Sequence, residues 1–421
     1  MSLLVGIDIG SHKICTLVGE ALPGGGVRIH GIGHAPAEGI RGGEVVHVED
    51  AAGAIAASVE RAERVAGIGI DRATIGLTGL HIDSRSNHAT VPLGRRPRAA
   101  EAADVNRVLE AAGAVPMEPG REVLHVLPTC FTLDERSAVV SPLGMEGHRL
   151  DADVHIVTAS SAALANLRRC LKMAELLPEA LVFSTLAGAE ATLTPDERQL
   201  GAFVLDLGAS ETGLACYRDN ATLHCATLPI GGRHLTNDLA VLLQTPLEQA
   251  ERIKTTFGHV LPEYDTEAVL IDIQPFGEGE ARQTTRHHVS EVLAARIDEL
   301  ASLVEAELGA EDLMERLPAG AILTGGGTEL KGLARRLHDR WNLPVRVGRP
   351  REVIGLGDTA RGPSHASPVG LLLWQARRIP DAVGLYTPPE DERGGAQGNL
   401  GRAVGWARSA FLPGNDRGGR R

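Results

Sequence analysis

Two short stretches of this chain place an aspartate beside a glycine-led turn, a pairing suited to phosphate and a divalent cation. The first runs Val5-Gly6-Ile7-Asp8-Ile9-Gly10-Ser11-His12-Lys13 and continues as Ile14-Cys15-Thr16-Leu17-Val18-Gly19. The second runs Val204-Leu205-Asp206-Leu207-Gly208-Ala209-Ser210-Glu211-Thr212-Gly213 and continues as Leu214-Ala215-Cys216-Tyr217. In each, an apolar strand reaches an aspartate, turns through Gly and Ser, and returns as a second apolar strand. Successive N–H groups in such a turn can cradle phosphate oxygens, and the aspartate can hold the waters of Mg²⁺. Glycine opens the tight backbone angles and keeps side chains away from a ligand. One such hairpin is an ordinary turn. Two, each opening its own half of the chain, predict a duplicated domain with a nucleotide between the copies.

Composition narrows the field. The 421 residues exceed what one core supports, so two or more domains are expected. Net charge is −12, which argues against a general nucleic-acid binder. The five cysteines are odd in number and form no Cys-x-x-Cys pair, as expected of reduced core cysteines in the cytosol. Asp8 interrupts the first apolar run and no basic leader precedes it, so no signal peptide is expected. No apolar run reaches the length of a membrane-spanning helix. The sixteen histidines are scattered, and their spacing predicts no metal site.

The elements that must hold the two turns can be read from periodicity. A helix is expected over Glu49–Val65 and a buried strand over Thr74–Thr78. Residues 82–158 change character: a strand, the basic turn Gly94–Arg98, a polar helix from Ala99, then strand runs at Val123–Leu133 and Asp153–Thr158. This predicts a small α+β insertion within a first domain formed by 1–81 and 159–200. The second half, 201–387, restarts with the repeated hairpin. It continues through Thr227-Leu228-Pro229-Ile230-Gly231-Gly232 into helix His234–Leu243, then a helix holding Ala250-Glu251-Arg252-Ile253-Lys254. Ser290–Leu308 carries an apolar stripe. Ala321-Ile322-Leu323-Thr324-Gly325-Gly326-Gly327 is a buried strand ending in three glycines. Glu251 and Lys254 lie three apart, on one helix face; alone they read as a common surface ion pair.

The hairpin pair, the strand ending in Gly231-Gly232, the Glu251/Lys254 helix and the Gly325–Gly327 run together resemble the actin, Hsp70 and sugar-kinase superfamily. Within it the chain is most similar to the FtsA family of bacterial cell-division proteins, through Val5–Gly19, Val123–Pro128, Asp238–Gly258 and Ile322–Gly332. The resemblance implies an α/β, actin-like duplicated fold with a nucleotide cleft and the family's own inserted subdomain. It implies ATP and Mg²⁺ as ligands. Gly10, Ser11, His12 and Lys13 then form the first phosphate loop, with Gly208, Ser210 and Thr212 in the second and Gly232 beside it. Asp8 and Asp206 face the metal, Glu251 and Lys254 the ribose, and Gly325, Gly326 and Gly327 the adenine. It further implies filaments that bind the FtsZ C-terminal tail and other divisome proteins at the septum. The tail is expected on a helical subdomain at 233–315, with Arg282, Arg286 and Arg296 supplying charge beside Val289 and Leu293. A pilus-assembly relative of the same fold, a sugar kinase and an Hsp70-like chaperone are the rival readings. No motif for a kinase base stands out, and no substrate domain of chaperone length follows.

One departure bears on chemistry. Many relatives carry Asp-(Ile/Leu)-Gly-Gly-Gly-Thr in the second loop, where this chain has Asp206-Leu207-Gly208-Ala209-Ser210-Glu211. An inward Glu211 repels phosphates; an outward one leaves Ser210 and Thr212 to donate. ATP binding is expected, with weak or absent hydrolysis. The end of the chain is a Gly/Pro/acidic linker, 388–398, and a tail, 399–421, with five arginines and one aspartate. On a helix, Leu400, Val404 and Phe411 fall within about 40° of one line, with Trp406 off it. That arrangement predicts an interfacial helix on an anionic membrane.

Overall fold

The computed structural model describes residues 3–377 apart from 140, 266–268, 277–281, 311 and 357–358. The linker 388–398 and the tail with Leu400, Val404, Trp406 and Phe411 lie outside the described residues.

Each hairpin seeds a sheet. Leu3–Ile9 pairs antiparallel with Lys13–Ala21, and that strand with Val27–Pro36. Helix Val48–Ala66 then carries the chain to Arg72–Leu77, parallel to the first strand, with Leu177–Phe183 beyond it. The second sheet repeats the plan. Ala202–Leu207 pairs with Thr212–Arg218 and then Ala221–Leu228, while Gly320–Thr324 and Val345–Val347 add in parallel on the other side. These five strands run in the same order in both sheets, and the first sheet carries a sixth at its edge. Both faces of each central strand are covered, so the strands read as near-continuous apolar runs rather than alternating ones. In the first, Ile7 packs into the core with Ile55 and Leu171, while Leu4 and Leu17 face Leu372 from the opposite side.

Two helices fill the space between the sheets, Ser184–Thr192 and Ala366–Ala376. Every residue from Ala366 to Trp374 is buried, the pattern of a helix surrounded by protein. A Cβ at Gly6 would stand 2.8 Å from Leu371 Cβ, so glycine sets how closely this helix approaches the first strand. The same segment corrects an expected boundary. Val353–Gly355 pairs parallel with Val27–Pro36, and Ala366–Ala376 docks on the first sheet, so the chain returns to the first domain well before 387. The preference is physical: a helix apolar on all sides has no stable place on the outside of the second domain.

The insertion forms a four-stranded antiparallel sheet, ordered Arg136–Val139, Arg121–Leu133, Arg149–Ser160 and Ile82–Pro92. Helix Ala102–Gly113 covers it over a core of its own that includes Val105, Val108, Leu109, Phe131, Val154 and Ile156. Arg98, from the basic turn, donates twice to Asp104 at 2.6 Å, and with backbone help this bond holds the carboxyl at about 2.

In the second domain, helices Gly232–Leu243, Leu247–Phe257 and Arg286–Gly309 pack with the hairpin Leu270–Ile273/Arg282–Thr285. Here the three arginines differ from expectation. Arg296 donates to both oxygens of Asp238, at 2.7 and 2.8 Å, and to Glu299 at 2.6 Å. Arg286 Nε donates to Asp265 at 2.6 Å. Arg282 reaches Gln244 Oε1 and the Leu243 carbonyl. Val289 and Leu293 are wholly buried. The arginines hold the subdomain together internally, and the two apolar residues belong to its core.

Candidate functional site

The two glycine-led turns have one geometry. Gly10 N–H donates to the Lys13 carbonyl at 3.2 Å, and Gly208 N–H to the Glu211 carbonyl at 3.0 Å. Each is a two-residue hairpin loop, and each follows a strand that delivers its aspartate to the floor of a shared cleft. The two inter-sheet helices complete the repeat. Ser184, opening the first, donates to Asp8 Oδ1 at 2.7 Å; Ser367, early in the second, donates to Asp206 Oδ2 at 2.8 Å. Neither serine is conspicuous in the sequence, although each follows the strand or turn that leads into its helix.

Burial pushes the Asp8 carboxyl up, against the opposing pull of Ser184 and Lys13. Burial, then the neighbouring Asp8 charge, pushes Asp206 up to about 6, with Ser367 opposing. Two buried carboxylates, both pushed up by burial and one further by the charge of the other, form an oxygen donor set that a hard divalent cation would relieve.

Glu211 points inward. It is 2 % exposed, and its Oε1 accepts from Ser11 Oγ of the first loop at 2.9 Å. Ser11 Oγ in turn accepts from Gly43 N–H at 2.9 Å, and the Ser11 carbonyl accepts from Arg233 Nη2 at 2.8 Å. Burial raises the Glu211 carboxyl, moderated by Ser11 and Arg233. Its second oxygen has no hydrogen-bond partner among the described residues. The departure in the second loop therefore ties the two loops to one another. Arg233, which the sequence reading passed over, completes that tie.

Other expected residues divide. Thr212 is buried and donates to the Ile230 carbonyl at 2.6 Å, because it opens a strand; its hydroxyl belongs to the sheet rather than the cleft. Gly232 N–H donates to the Gly208 carbonyl at 2.9 Å, and Arg233 N–H to that of Ala209 at 2.7 Å, so the following helix starts directly on the second loop. Lys254 Nζ donates to the Gly232 carbonyl at 3.0 Å, to Thr236 Oγ1 at 2.8 Å and to Glu251 Oε2 at 2.7 Å. Glu251 also accepts from Thr236; although burial works the other way, Lys254 and Thr236 hold its carboxyl below the usual range, and His12 acts in the same sense from across the cleft. The pair is thus more than a surface ion pair. Lys13 spans toward Ser364, at 3.5 Å, on the segment under the glycine run. Gly325 has φ +84°, and a Cβ there would meet Asp206 and, at 2.6 Å, the Leu207 carbonyl. Gly326 is different: its Cβ would meet nothing closer than Ser364 Cβ at 3.9 Å. Ser210 lies half-buried at the tip of the second loop.

Comparison with known proteins agrees with this architecture. Residues 203–370 match the family model "Cell division protein FtsA", and 79–158 match "SHS2 domain inserted in FTSA". The cell division protein FtsA of Pseudomonas aeruginosa is 36% identical over 91% of this chain and 91% of its own. That of Escherichia coli is 32% identical over 88% and 89%. Among solved structures, the PilM–PilN type IV pilus biogenesis complex covers 89% of this chain and 98% of its own, at 19% identity and TM-score 0.63. MreB5 of Spiroplasma citri bound to ADP covers 91% and 99%, at 10% identity and TM-score 0.56. The structural likenesses carry the actin-like fold, and the sequence identities carry the family: the chain belongs to the FtsA family of cell-division proteins.

Proposed function

We propose that this chain binds ATP with Mg²⁺ between its two domains, polymerises on the cytoplasmic membrane, and tethers FtsZ filaments there at the septum while recruiting other divisome proteins. The observation that carries the nucleotide part is the convergence of Asp8 and Asp206, each held by a serine, beneath two identical turns. In this reading the two aspartates hold the cation's waters. Backbone N–H groups of the Gly10–Lys13 and Gly208–Glu211 turns, with Lys13, receive phosphate oxygens. Glu251 and Lys254 face the ribose, and the space beside Gly326 takes the base. The nucleotide supplies a bridge that favours the conformation able to polymerise. Glu211 places a carboxylate beside the phosphates, which favours a scaffold with slow turnover over an efficient ATPase.

For the FtsZ tail, the surface that supports docking is apolar. Val241, Leu242 and Leu247 are exposed where two helices of the second domain meet, with Phe276 also exposed on the same subdomain. Among the described residues no helix is long and apolar enough to cross a membrane. Attachment is assigned instead to 399–421. Burying Leu400, Val404 and Phe411 is worth ~1.5–3 kcal/mol each, and each arginine near anionic lipid adds about 1 kcal/mol. One copy then binds reversibly, and a polymer of many copies binds firmly.

The deciding experiment is co-sedimentation with anionic vesicles, with and without ATP and an FtsZ tail peptide. The full chain is expected to sediment and carry the peptide. A chain lacking 399–421 is expected to stay in solution while still binding ATP; sedimentation of that truncated chain would remove the tail as anchor.

A further inference from the structure

Behind the first phosphate loop, three side chains from distant parts of the chain converge. Cys15 and His34 are direct cross-strand partners on Lys13–Ala21 and Val27–Pro36, so both project from the same face of the sheet. His365, from the turn before helix Ala366–Ala376, faces them: its Nε2 lies 3.4 Å from His34 Nε2. One ligand atom from each of the three lies within 4.8 Å of the others. Cys15 is fully buried and the two imidazoles are half-buried.

We propose that Cys15, His34 and His365 form a binding site for a thiophilic transition-metal ion of the Zn²⁺ class. The nitrogen separation is the first argument. Two imidazoles on a tetrahedral zinc, at bonds of about 2.0–2.1 Å, stand roughly 3.4 Å apart. A direct hydrogen bond between them is the competing explanation, but it favours a shorter separation, about 2.7–3.2 Å. On a tetrahedral ion the thiolate and each nitrogen would stand roughly 3.6 Å apart, so closing the site from separations of up to 4.8 Å asks the ligand atoms to approach by about 1 Å.

The donor set is the second argument. Two ring nitrogens and one thiolate suit Zn²⁺, Co²⁺ or copper and do not suit Mg²⁺, which takes oxygen ligands. The site is therefore chemically separate from the Asp8/Asp206 pair. Burial, with Lys13 adding to it, lowers both histidines, His365 to about 4, so each ring is neutral and able to ligate at neutral pH. Burial pushes the Cys15 thiol up to about 12, so it is the ion that must displace the proton, which leaves to solvent, and the thiolate then offsets half of the ion's charge. Lys13 faces all three ligands, Arg61 faces His34, and Asp8 faces Cys15 with the opposite sign. The Ser364 hydroxyl, 3.4 Å from His365 Nδ1, is placed to hold that ring in orientation.

The consequence follows from what the ion would join. Cys15 and His34 flank the first loop. Beside His365, the Pro363 carbonyl accepts from Gly325 N–H at 3.1 Å and from Thr324 Oγ1 at 3.0 Å. A metal here would staple the first hairpin to the segment that supports the glycine run, across the cleft.

The test is titration of the full chain, stripped with chelator and free of nucleotide, with Co²⁺. The expected result is one Co²⁺ per chain, with the strong visible bands of a tetrahedral ion and a thiolate-to-cobalt charge-transfer band, both abolished by one equivalent of Zn²⁺. Cys15→Ser is expected to lose the charge-transfer band. His365→Gln, outside the strands and only half-buried, is expected to weaken binding at least tenfold even if the cysteine variant fails to fold. A weak six-coordinate spectrum in the parent chain, or unchanged affinity in His365→Gln, would overturn the proposal.

Discussion

Replacing Asp206 by Asn should make the nucleotide-free protein more stable at neutral pH. Asp206 lies within the cleft floor, and burial together with the Asp8 charge carries its carboxyl from 3.8 to about 6. The native state therefore holds a proton that the unfolded chain releases between those two values. Stability falls as pH rises through that window, and above it the ionised group costs the folded protein up to roughly 3 kcal/mol. Asparagine removes the charge, while its amide oxygen can still accept from Ser367, now at 2.8 Å. At about 2–4 °C per kcal/mol for domains of 150–250 residues, the gain corresponds to several degrees. The assay is thermal unfolding of both proteins in chelator, at steps from pH 4 to pH 8. The variant should exceed the parent at pH 7.5, and the gap should close as the pH falls toward 4, where the parent carboxyl is protonated as well. A gap of the same size at pH 4 and pH 7.5, or a variant less stable at pH 7.5, would refute the reasoning. The same variant should lose Mg²⁺-dependent ATP binding, a loss that sets the electrostatic cost beside the function it serves.

Adjacent glycines should separate fold from binding. Gly326→Asp should fold with little change in melting temperature and fail to bind labelled ATP, whereas Gly325→Ala, forced to φ +84° against Leu207, should lose about 1–3 kcal/mol in a urea titration. Glu211→Gln keeps an acceptor for Ser11 but removes the carboxylate between the loops, so fluorescent-ATP titration should give several-fold tighter binding; unchanged affinity would mean that Glu211 is protonated or screened in the parent. Arg296→Glu should lower stability by about 1.5–3 kcal/mol through the broken Asp238 bonds, recovered in part by adding Asp238→Arg. Val241→Asp with Leu247→Asp, both on exposed positions, should leave folding intact and weaken an FtsZ tail peptide at least tenfold in anisotropy.

Much of this molecule was decided locally. The two hairpins are written as apolar runs broken by Asp8-Ile9-Gly10 and Asp206-Leu207-Gly208, and their turns close within four residues, so no distant contact is needed to form them. Helices such as Val48–Ala66 and Arg286–Gly309 likewise follow from their own periodicity, and the resemblance to the FtsA family rests on contiguous stretches such as Val5–Gly19 and Ile322–Gly332. What tertiary structure alone decided is partnership between segments far apart. The apolar run Ala366–Ala376 could belong to either domain until burial on all sides placed it between the sheets. Glu211 could have faced either way until Ser11, two hundred positions earlier, met it. Arg282, Arg286 and Arg296 read as surface charge because their acceptors at Gln244, Asp265 and Asp238 come from other elements. The cluster of Cys15, His34 and His365 has no sequence spacing at all; cross-strand register joins the first two, and the return of the chain to the first sheet brings the third. Backbone turns and helix faces depend on neighbours in sequence and are legible there, whereas electrostatic and ligand geometry depends on neighbours in space.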